Sequence, residues 1–294
     1  MLSVIVPSYN MEAYLPKCLN SLVVDDTELL QKLDVIVVND GSKDRTSEIA
    51  HDFEKRYPGV FRVIDKSNGH YGSCINAALP LAKGEYVKVL DADDWFTPGS
   101  LRILLRELEI EGERETPADL VLTDYVAVNE RGDYYYSRQH TFSGGECRTL
   151  ADLLKVPFDL MFYAYAYRRS VFDGLDYHQS EGIAYTDPEW AFYPMSRVKH
   201  VRYVPVTLYS YLLGREGQSV NAAFDAVHAE QLQKVLKKNV EIFNRIKDEC
   251  TEEFRAYATI QLVRIAVIVY NLYLLKLPMR SMGACSFAPS AVSS

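Results

Sequence analysis

The feature that most constrains this chain is a regular alternation of short, β-branched apolar runs with segments of helical periodicity over its first 125 residues. The pattern predicts strands at residues 2–6, 34–38, 61–64, 85–90 and 119–123. Such alternation is typical of an α/β fold with a doubly wound, mostly parallel sheet and helices on both faces. Ligands of these sheets bind at the carboxyl ends of the strands, so the residues that follow each strand are the first candidates for a site.

The composition limits the class of protein further. Hydrophobic residues make up 48% and charged residues 24% of the 294 residues, which predicts a folded globular chain. Its formal net charge is −8 and no basic run exceeds a pair, so a nucleic-acid partner is not expected. The 21 tyrosines against 12 phenylalanines favour clefts for polar, ring-shaped ligands, since tyrosine is flat and apolar yet carries a hydroxyl.

Cysteine usage and the ends of the chain bear on its location. Five widely spaced cysteines without a Cys-x-x-Cys pair indicate a reducing compartment, and a strand-like start without a signal sequence predicts a cytoplasmic protein. Residues 256–277 are long and apolar, but Arg264 near their centre would cost about 2.5–3.5 kcal/mol in a bilayer. A buried or membrane-surface helix is therefore favoured over a span, and a surface helix would hold the protein at the inner face of the membrane.

Three polar clusters follow predicted strands, at residues 7–10, 39–42 and 91–94, and a parallel sheet would bring them to one edge. A G-x-G-x-x-G fingerprint after the first strand and a G-x-x-x-x-G-K-[ST] loop are both missing from the sequence. Dinucleotide-dependent dehydrogenases and P-loop enzymes therefore lose their main support.

Asp91 and Asp93 are two residues apart, so on extended chain both carboxylates point to the same side. Together they could hold Mg²⁺ or Mn²⁺, with positions left for phosphate oxygens. The alternative is a solvated turn before a helix, although repulsion between adjacent carboxylates favours a metal. Asp40, in Asn-Asp-Gly-Ser, has the same two interpretations: a turn residue, or an acceptor for a nucleotide base. Gly69 lies in a turn whose backbone could approach a ligand closely.

Residues 4–10, 37–44, 68–76 and 84–95 carry, in order, motifs that resemble family 2 glycosyltransferases of the GT-A fold. The resemblance is strong over residues 1–125, weaker at 185–190 and 211–219, and fades after about residue 221. It implies that Asp91 meets the ribose or the metal, that Asp93 binds the cation beside the diphosphate, and that Asp187 is the catalytic base. It also implies that the nucleotide sugar is bound by Pro7, Tyr9, Asn10, Asp40, Lys66, Gly69, Asn76, Asp91, Ala92, Arg215, Gln218 and Ser219.

Asp187 has a second interpretation from its local sequence. Asp187-Pro188 is a strong helix start, with Asp as the cap and Pro in the first turn, and a cap can also be a base. The family usually shows Glu-Asp where this chain has Thr186-Asp187, so Glu189 and Glu181 remain rival bases.

Other departures from the family pattern affect the expected contacts. The family's Ala-Arg-Asn is Cys74-Ile75-Asn76 here, so the contact of that arginine is absent and Lys66 or His70 would have to replace it. The Gln-x-x-Arg-Trp motif of processive synthases is missing, which favours single additions. Arg215, Gln218 and Ser219 resemble a loop that closes over the diphosphate, or form a solvated Gly-rich turn.

These observations predict a GT-A domain over residues 1–221, with a nucleotide-sugar part at 1–125 and an acceptor part at 126–221. A helical extension follows at 222–278 and a disordered tail at 279–294. The predicted activity is inverting transfer from a nucleoside-diphosphate sugar, with UDP expected, to a hydroxyl of a saccharide or lipid-linked saccharide, dependent on Mn²⁺ or Mg²⁺. The alternative is a non-catalytic, nucleotide-sugar-binding scaffold subunit that contacts a membrane through the C-terminal helix.

Overall fold

The computed structural model of the chain describes residues 1–138, 144–155, 161–215 and 226–276. Its strands are β1 (Leu2–Ser8), β2 (Leu33–Asn39), β3 (Phe61–Asp65), β4 (Tyr86–Val89), β5 (Trp95–Phe96), β6 (Leu120–Val128), β7 (Tyr134–Arg138), β8 (Cys147–Arg148), β9 (Tyr165–Arg168) and β10 (Val201–Leu212). Its α-helices are α1 (Leu15–Asn20), α2 (Thr27–Leu30), α3 (Thr46–Arg56), α4 (His70–Ala78), α5 (Ser100–Gly112), α6 (Leu150–Leu154), α7 (Asp187–Phe192), α8 (Ala226–Ile246) and α9 (Glu252–Lys276).

The first four strands form the parallel part of the sheet, in the order β3-β2-β1-β4. Every residue of β1 and β2 is buried, as their continuous apolar runs predict for strands covered on both faces. The register pairs Ser8 with Asn39 and Asn39 with Asp65. The polar residues that end these strands therefore meet at one edge, as the sequence predicts.

The rest of the sheet is mixed. β9 lies between β4 and β6 and runs antiparallel to both, so the fifth predicted strand, β6, does not pair with β4. β10 pairs in parallel with β6, while β5, β7 and β8 pair antiparallel with their neighbours. The α/β class is confirmed. The Tyr-rich run of residues 125–138, with a turn signal at Glu-Arg-Gly-Asp, also predicts the hairpin that β6 and β7 form. The sequence did not show that β9 would be inserted, because antiparallel neighbours need no crossover helix between them to mark the topology.

Two long helices complete the described chain. The apolar residues Leu232, Val235, Leu236 and Val240 recur at helical spacing and predict an amphipathic helix over residues 226–246, which are the bounds of α8. α9 packs Phe254 and Tyr257 on the main core, and the Tyr257 hydroxyl donates to the Ala191 carbonyl at 2.7 Å. A small second core joins α8 to α9 through Leu232 and Ile265, among others.

Most of α9 beyond these contacts is exposed. Residues 252–274 form a helix that is long and apolar enough to cross a membrane. Only 22% of its apolar 18-residue stretch is buried in the protein. The exposed apolar side chains of this helix are Ile260, Val263, Val267, Ile268, Tyr270 and Leu274. The predicted tail at 279–294 and the predicted boundary at residue 221 lie outside the described residues, so the domain division stays a prediction.

Candidate active site

A cavity of about 390 Å³ opens at the carboxyl ends of β1, β2 and β4. Polar residues at the ends of these parallel strands line it. The loops before α7 and after β10 lie at the same edge of the sheet. The predicted site residues that line it are Pro7, Tyr9, Asp40, Asp91, Ala92, Asp93, Asp187 and Arg215.

Three carboxylates after β4 form an acidic cluster, and two of them, Asp91 and Asp93, line this cavity. Ligand oxygens of Asp91, Asp93 and Asp94 lie within 4.8 Å of one another. Asp94 is held in place, because its two oxygens accept from the Tyr209 hydroxyl at 2.6 Å and the Leu212 amide at 2.8 Å. Asp94 therefore attaches the acidic turn to β10, and Asp91 and Asp93 are left to face a ligand.

The electrostatics of this group fit a hard divalent cation. Burial, followed by the charges of Asp187 and Asp93, raises the pKa of Asp91 well above its usual value. Carboxylates that are buried together and repel one another form an all-oxygen donor set, and a bound cation reverses the cost of ionising them. Asp91 and Asp93 are the residues that would hold the ion.

Arg215 reaches the acidic cluster from the loop after β10. Its Nε donates to Asp93 Oδ2 at 2.8 Å, and both side chains are less than 15% exposed. Its guanidinium also lies 5.4 Å from the centre of the Tyr14 ring. Arg215 thus neutralises the carboxylate that is expected to bind the cation.

Asp40 is held by two of the other predicted residues. Its Oδ1 accepts from Lys66 Nζ at 2.7 Å and from the Gly69 amide at 2.9 Å. A Cβ on Gly69 would lie 2.6 Å from the Ser73 hydroxyl, so glycine is needed for this close approach. Lys66 and Gly69 do not line the cavity; they fix the carboxylate that does.

Asn10 and Asn76, expected to bind the nucleotide sugar, do not line the cavity. Asn10 accepts from the Lys43 amide and donates its own amide to Ser42, which ties the loop after β1 to the loop after β2. Asn76 bonds to residues 178–181, including Glu181 Oε1 at 2.8 Å. Both asparagines therefore hold loops around the site. Gln218 and Ser219 lie outside the described residues.

Asp187 lines the cavity near Asp91, and burial raises its pKa to about 6. It is the first residue of α7, and Thr186 occupies the cap position without a capping side-chain hydrogen bond. The prediction that Asp187 is the helix cap is therefore wrong, because the cap lies one residue earlier, at Thr186. The Thr186 hydroxyl donates to Gln179 at 3.0 Å instead, which holds the chain ahead of α7.

The two rival bases do not reach this cavity. Glu189 is buried and bonded to Lys238 at 2.6 Å and to the Ser180 amide at 2.9 Å. Glu181 is bonded to Asn76. Of the three candidate bases, Asp187 alone lines the cavity.

Comparison with known proteins identifies the family of the chain. The model of glycosyl transferase family 2 matches residues 3–175. The chain belongs to this family. Its relatives include the uncharacterized glycosyltransferase EpsJ of Bacillus subtilis, 26% identical over 87% of this chain and 74% of EpsJ. Chondroitin synthase of Pasteurella multocida is 35% identical over 36% of this chain and 11% of that protein.

Solved structures share the fold. Residues 1–349 of Staphylococcus aureus TarS in complex with UDP-GlcNAc align with a TM-score of 0.65 at 23% identity, covering 95% of this chain and 76% of that one. The mannosyltransferase PcManGT of Pyrobaculum calidifontis, in complex with GDP-Man and Mn²⁺, aligns at 0.51 with 17% identity over 95% of this chain and 76% of that one. The glycosyltransferase is thus a GT-A fold protein, as its motifs predict.

The strained backbone of this glycosyltransferase is concentrated at the site. Among the described residues, the non-glycine residues with positive φ are Asn10 (53°), His70 (65°) and Tyr185 (61°). His70 and Tyr185 line the cavity, and Asn10 follows the strand that ends there. Such conformations persist where the surrounding structure enforces them, often at ligand sites.

The alternating Tyr163, Tyr165 and Tyr167 fit either a platform for sugar faces or an ordinary buried strand, and the sequence gives no signal that Tyr71 and Tyr211 also line the cavity. Tyr71 donates from its hydroxyl to Asp91 at 2.9 Å, and Tyr163 and Tyr211 stack with their ring centres 4.7 Å apart. Tyr163 shares an alternating pattern with Tyr165 and Tyr167, which are fully buried in the core. No local signal separates the tyrosine at the site from its two neighbours.

Proposed function

We propose that this chain is an inverting glycosyltransferase that adds one sugar at a time from a UDP-sugar to a hydroxyl of a saccharide or lipid-linked saccharide. The observation that carries the proposal is the placement of Asp187 in one cavity with Asp91 and Asp93. A base beside a cation-binding carboxylate pair is what direct displacement of a diphosphate requires.

Different residues of the cavity have different roles in the proposed reaction. Asp187, with its pKa raised to about 6, is ionised at neutral pH and accepts the proton of the attacking hydroxyl. Asp91 and Asp93 would hold Mn²⁺ or Mg²⁺, which when bound offsets the charge that builds on the departing diphosphate. Arg215 is close enough to the same carboxylates to bind that diphosphate.

Asp40 supports a uracil-containing donor. Its buried carboxylate lines the cavity and is held by Lys66 and Gly69, so one oxygen has a fixed orientation. An ionised carboxylate accepts an N–H from a pyrimidine edge. The structures of TarS with UDP-GlcNAc and with UDP support the same nucleotide.

A donor screen tests the proposal. The full chain is incubated with UDP-, GDP- and ADP-sugars in Mn²⁺ and a mixture of saccharide acceptors, and released nucleoside diphosphate is measured. We expect UDP-sugars to be consumed and calorimetry to show UDP binding well above ADP. Nucleotide binding without turnover would support the scaffold alternative, and a product with the anomeric configuration of the donor would overturn the inverting mechanism.

We also propose a cytoplasmic protein that contacts the inner face of the membrane through α9. The support is the exposed apolar side of that helix, including Val263 and Val267, at 55% and 52% exposure. Flotation with phosphatidylglycerol vesicles should recover the protein, and Val267→Glu should reduce recovery. The matched control is Ile103→Glu, which changes a residue 49% exposed on α5. Equal recovery of both variants would contradict the contact.

A further inference from the structure

The hairpin strand β7 carries three consecutive tyrosines that are largely exposed. Tyr134, Tyr135 and Tyr136 are 76%, 58% and 43% exposed. In the described part of the chain β7 pairs only with β6, whose residues are all buried, whereas the β7 tyrosines keep much of their surface in solvent. Large aromatic side chains that are kept exposed together are typical of a binding surface.

This surface, hereafter the tyrosine platform (Tyr134–Tyr136), is connected to the donor cavity through the buried ring of Tyr125. The Tyr136 ring contacts Tyr125 at 6.4 Å between centres, and Tyr125 contacts Tyr163 at 5.4 Å. Tyr163 lines the cavity and stacks on Tyr211, which lines it too. A chain of aromatic rings therefore leads from the platform to the reaction site.

A close approach and a hydrogen bond place the hairpin beside the cavity mouth. The Tyr135 hydroxyl lies 3.8 Å from where a Cβ on Gly214 would be, next to the cavity residue Arg215. The Tyr14 hydroxyl donates at 3.0 Å to Glu130 in the hairpin turn. The platform is thus fixed at the rim, on the side where Arg215 enters.

The chemistry of the platform fits a saccharide. Tyrosine rings stack on the C–H face of a sugar, their hydroxyls bond to its polar edge, and they lose little conformational freedom on binding. The turn of the same hairpin carries Glu130, Arg131 and Asp133, so its net charge is negative and does not favour an anionic lipid surface. A neutral, polar, ring-shaped ligand is favoured over a membrane.

From this continuity we infer that the tyrosine platform binds sugar units of the acceptor beyond the one that reacts. The inference rests on the proposed transferase function, and it makes the preferred acceptor an oligosaccharide rather than a monosaccharide. Tyr134 and Tyr135 are the most exposed rings and would make the outer contacts.

The test compares oligosaccharide and monosaccharide use. Defined oligosaccharides on a glycan array are probed with the full chain in UDP and Mn²⁺, and the sugars that bind are used as acceptors together with the matching monosaccharide. The double variant Tyr134→Ala/Tyr135→Ala should raise KM for the oligosaccharide roughly tenfold, as loss of two stacking contacts predicts. KM for the monosaccharide, kcat and UDP affinity should stay unchanged.

Two controls define the stacking role. Tyr270→Ala removes a tyrosine that is 65% exposed on α9 and should change neither KM. Tyr134→Phe/Tyr135→Phe keeps both rings and should stay within about twofold of wild type. A loss in the phenylalanine variant as large as in the alanine variant would overturn stacking.

The remaining outcomes separate a failure of the platform from a failure of the proposed function. Array binding by no saccharide, equal loss on both acceptors, or no change in the double variant would overturn the platform. Absence of turnover with every donor would instead contradict the proposed function, while array binding and its loss in the double variant would still support the platform.

Discussion

The two sides of the active site are built in different ways. On the proposed donor side, Pro7 lies near the end of β1, Asp40 and Asp91 follow β2 and β4, and adjacent parallel strands bring them together. On the proposed acceptor side, Tyr163 lies in a short 3-10 helix and Asp187 is the first residue of α7, and contacts between distant segments place both residues. The donor side therefore follows from the order of its strands, while the acceptor side depends on individual side-chain bonds.

Two buried carboxylates show the same contrast. Asp34 on β2 accepts from Ser3, Arg62 and the Lys83 amide, and links segments that the parallel ladder already joins. Glu111 on α5 accepts from Arg202 of β10 at 3.0 Å and from the Ala118 amide at 2.7 Å. Glu111 thus connects α5 to β10, two elements that no β-ladder joins.

The largest expected effect is on the donor side. Asp93→Asn should lower turnover by about a thousandfold or more, because cation stabilisation supplies several kcal/mol. Mn²⁺ binding, measured by electron paramagnetic resonance, should be lost as well. Asp52→Asn changes an exposed aspartate on α3 and should leave both unchanged. Full activity of Asp93→Asn in chelator would show that the acidic cluster is only a turn.

On the acceptor side, Asp187→Asn should lower the transfer rate by about two to four orders of magnitude, the usual contribution of a general base. UDP affinity should stay near wild type, because donor contacts lie on the other side of the cavity. The measurements are single-turnover kinetics and calorimetry. Normal transfer would remove Asp187 from the role, and joint loss of UDP binding and stability would mean that the two sides are not separable.

Stability should distinguish the two carboxylate networks. Glu111→Gln should cost about 3 kcal/mol in urea unfolding, because it leaves the buried Arg202 guanidinium uncompensated. Asp34→Asn should cost about 2 kcal/mol, since Arg62 is 25% exposed and can turn to water. Glu48→Gln, in an exposed pair with Arg45, should leave the midpoint unchanged. Equal costs at Glu111 and Asp34 would contradict the contrast.

The pH dependence should report the acceptor side. The pKa of Asp187 is raised to about 6, so the base is protonated below that pH. The transfer rate should fall about tenfold per pH unit below 6 and level off above it. Asp187→Asn should abolish this dependence. The range from pH 5 to 7 extends ~1 pH unit to either side of the expected midpoint. A wild-type rate that is constant over this range, while UDP still binds, would contradict the assignment.

The smallest effect concerns the ion pair between Arg215 and Asp93. Arg215→Ala should raise the affinity of the nucleotide-free protein for Mn²⁺ about fivefold, because the pair with Asp93 then no longer competes. The same change should weaken UDP binding in Mn²⁺ if Arg215 binds the diphosphate. Arg45→Ala, at an exposed pair, is the control. Unchanged Mn²⁺ affinity would show that the Arg215–Asp93 bond does not oppose the cation.

Much of the donor side could be predicted before the fold was known. Continuous apolar runs identify β1 and β2 as strands buried on both faces, and parallel strands end at the same edge of a sheet. Asp40, Asp91 and Asp93 therefore had to converge. The bounds of α8 follow from its apolar spacing for the same local reason.

The acceptor side was decided by tertiary structure. The insertion of β9, the left-handed backbone of Tyr185 and the turning of Asn76 toward residues 178–181 all depend on segments far apart in the chain. Periodicity shows which side chains share a face of an element, but not what covers that face. The same alternating tyrosines therefore become core at Tyr165 and cavity wall at Tyr163, because only the packing of distant strands determines which ring meets open space.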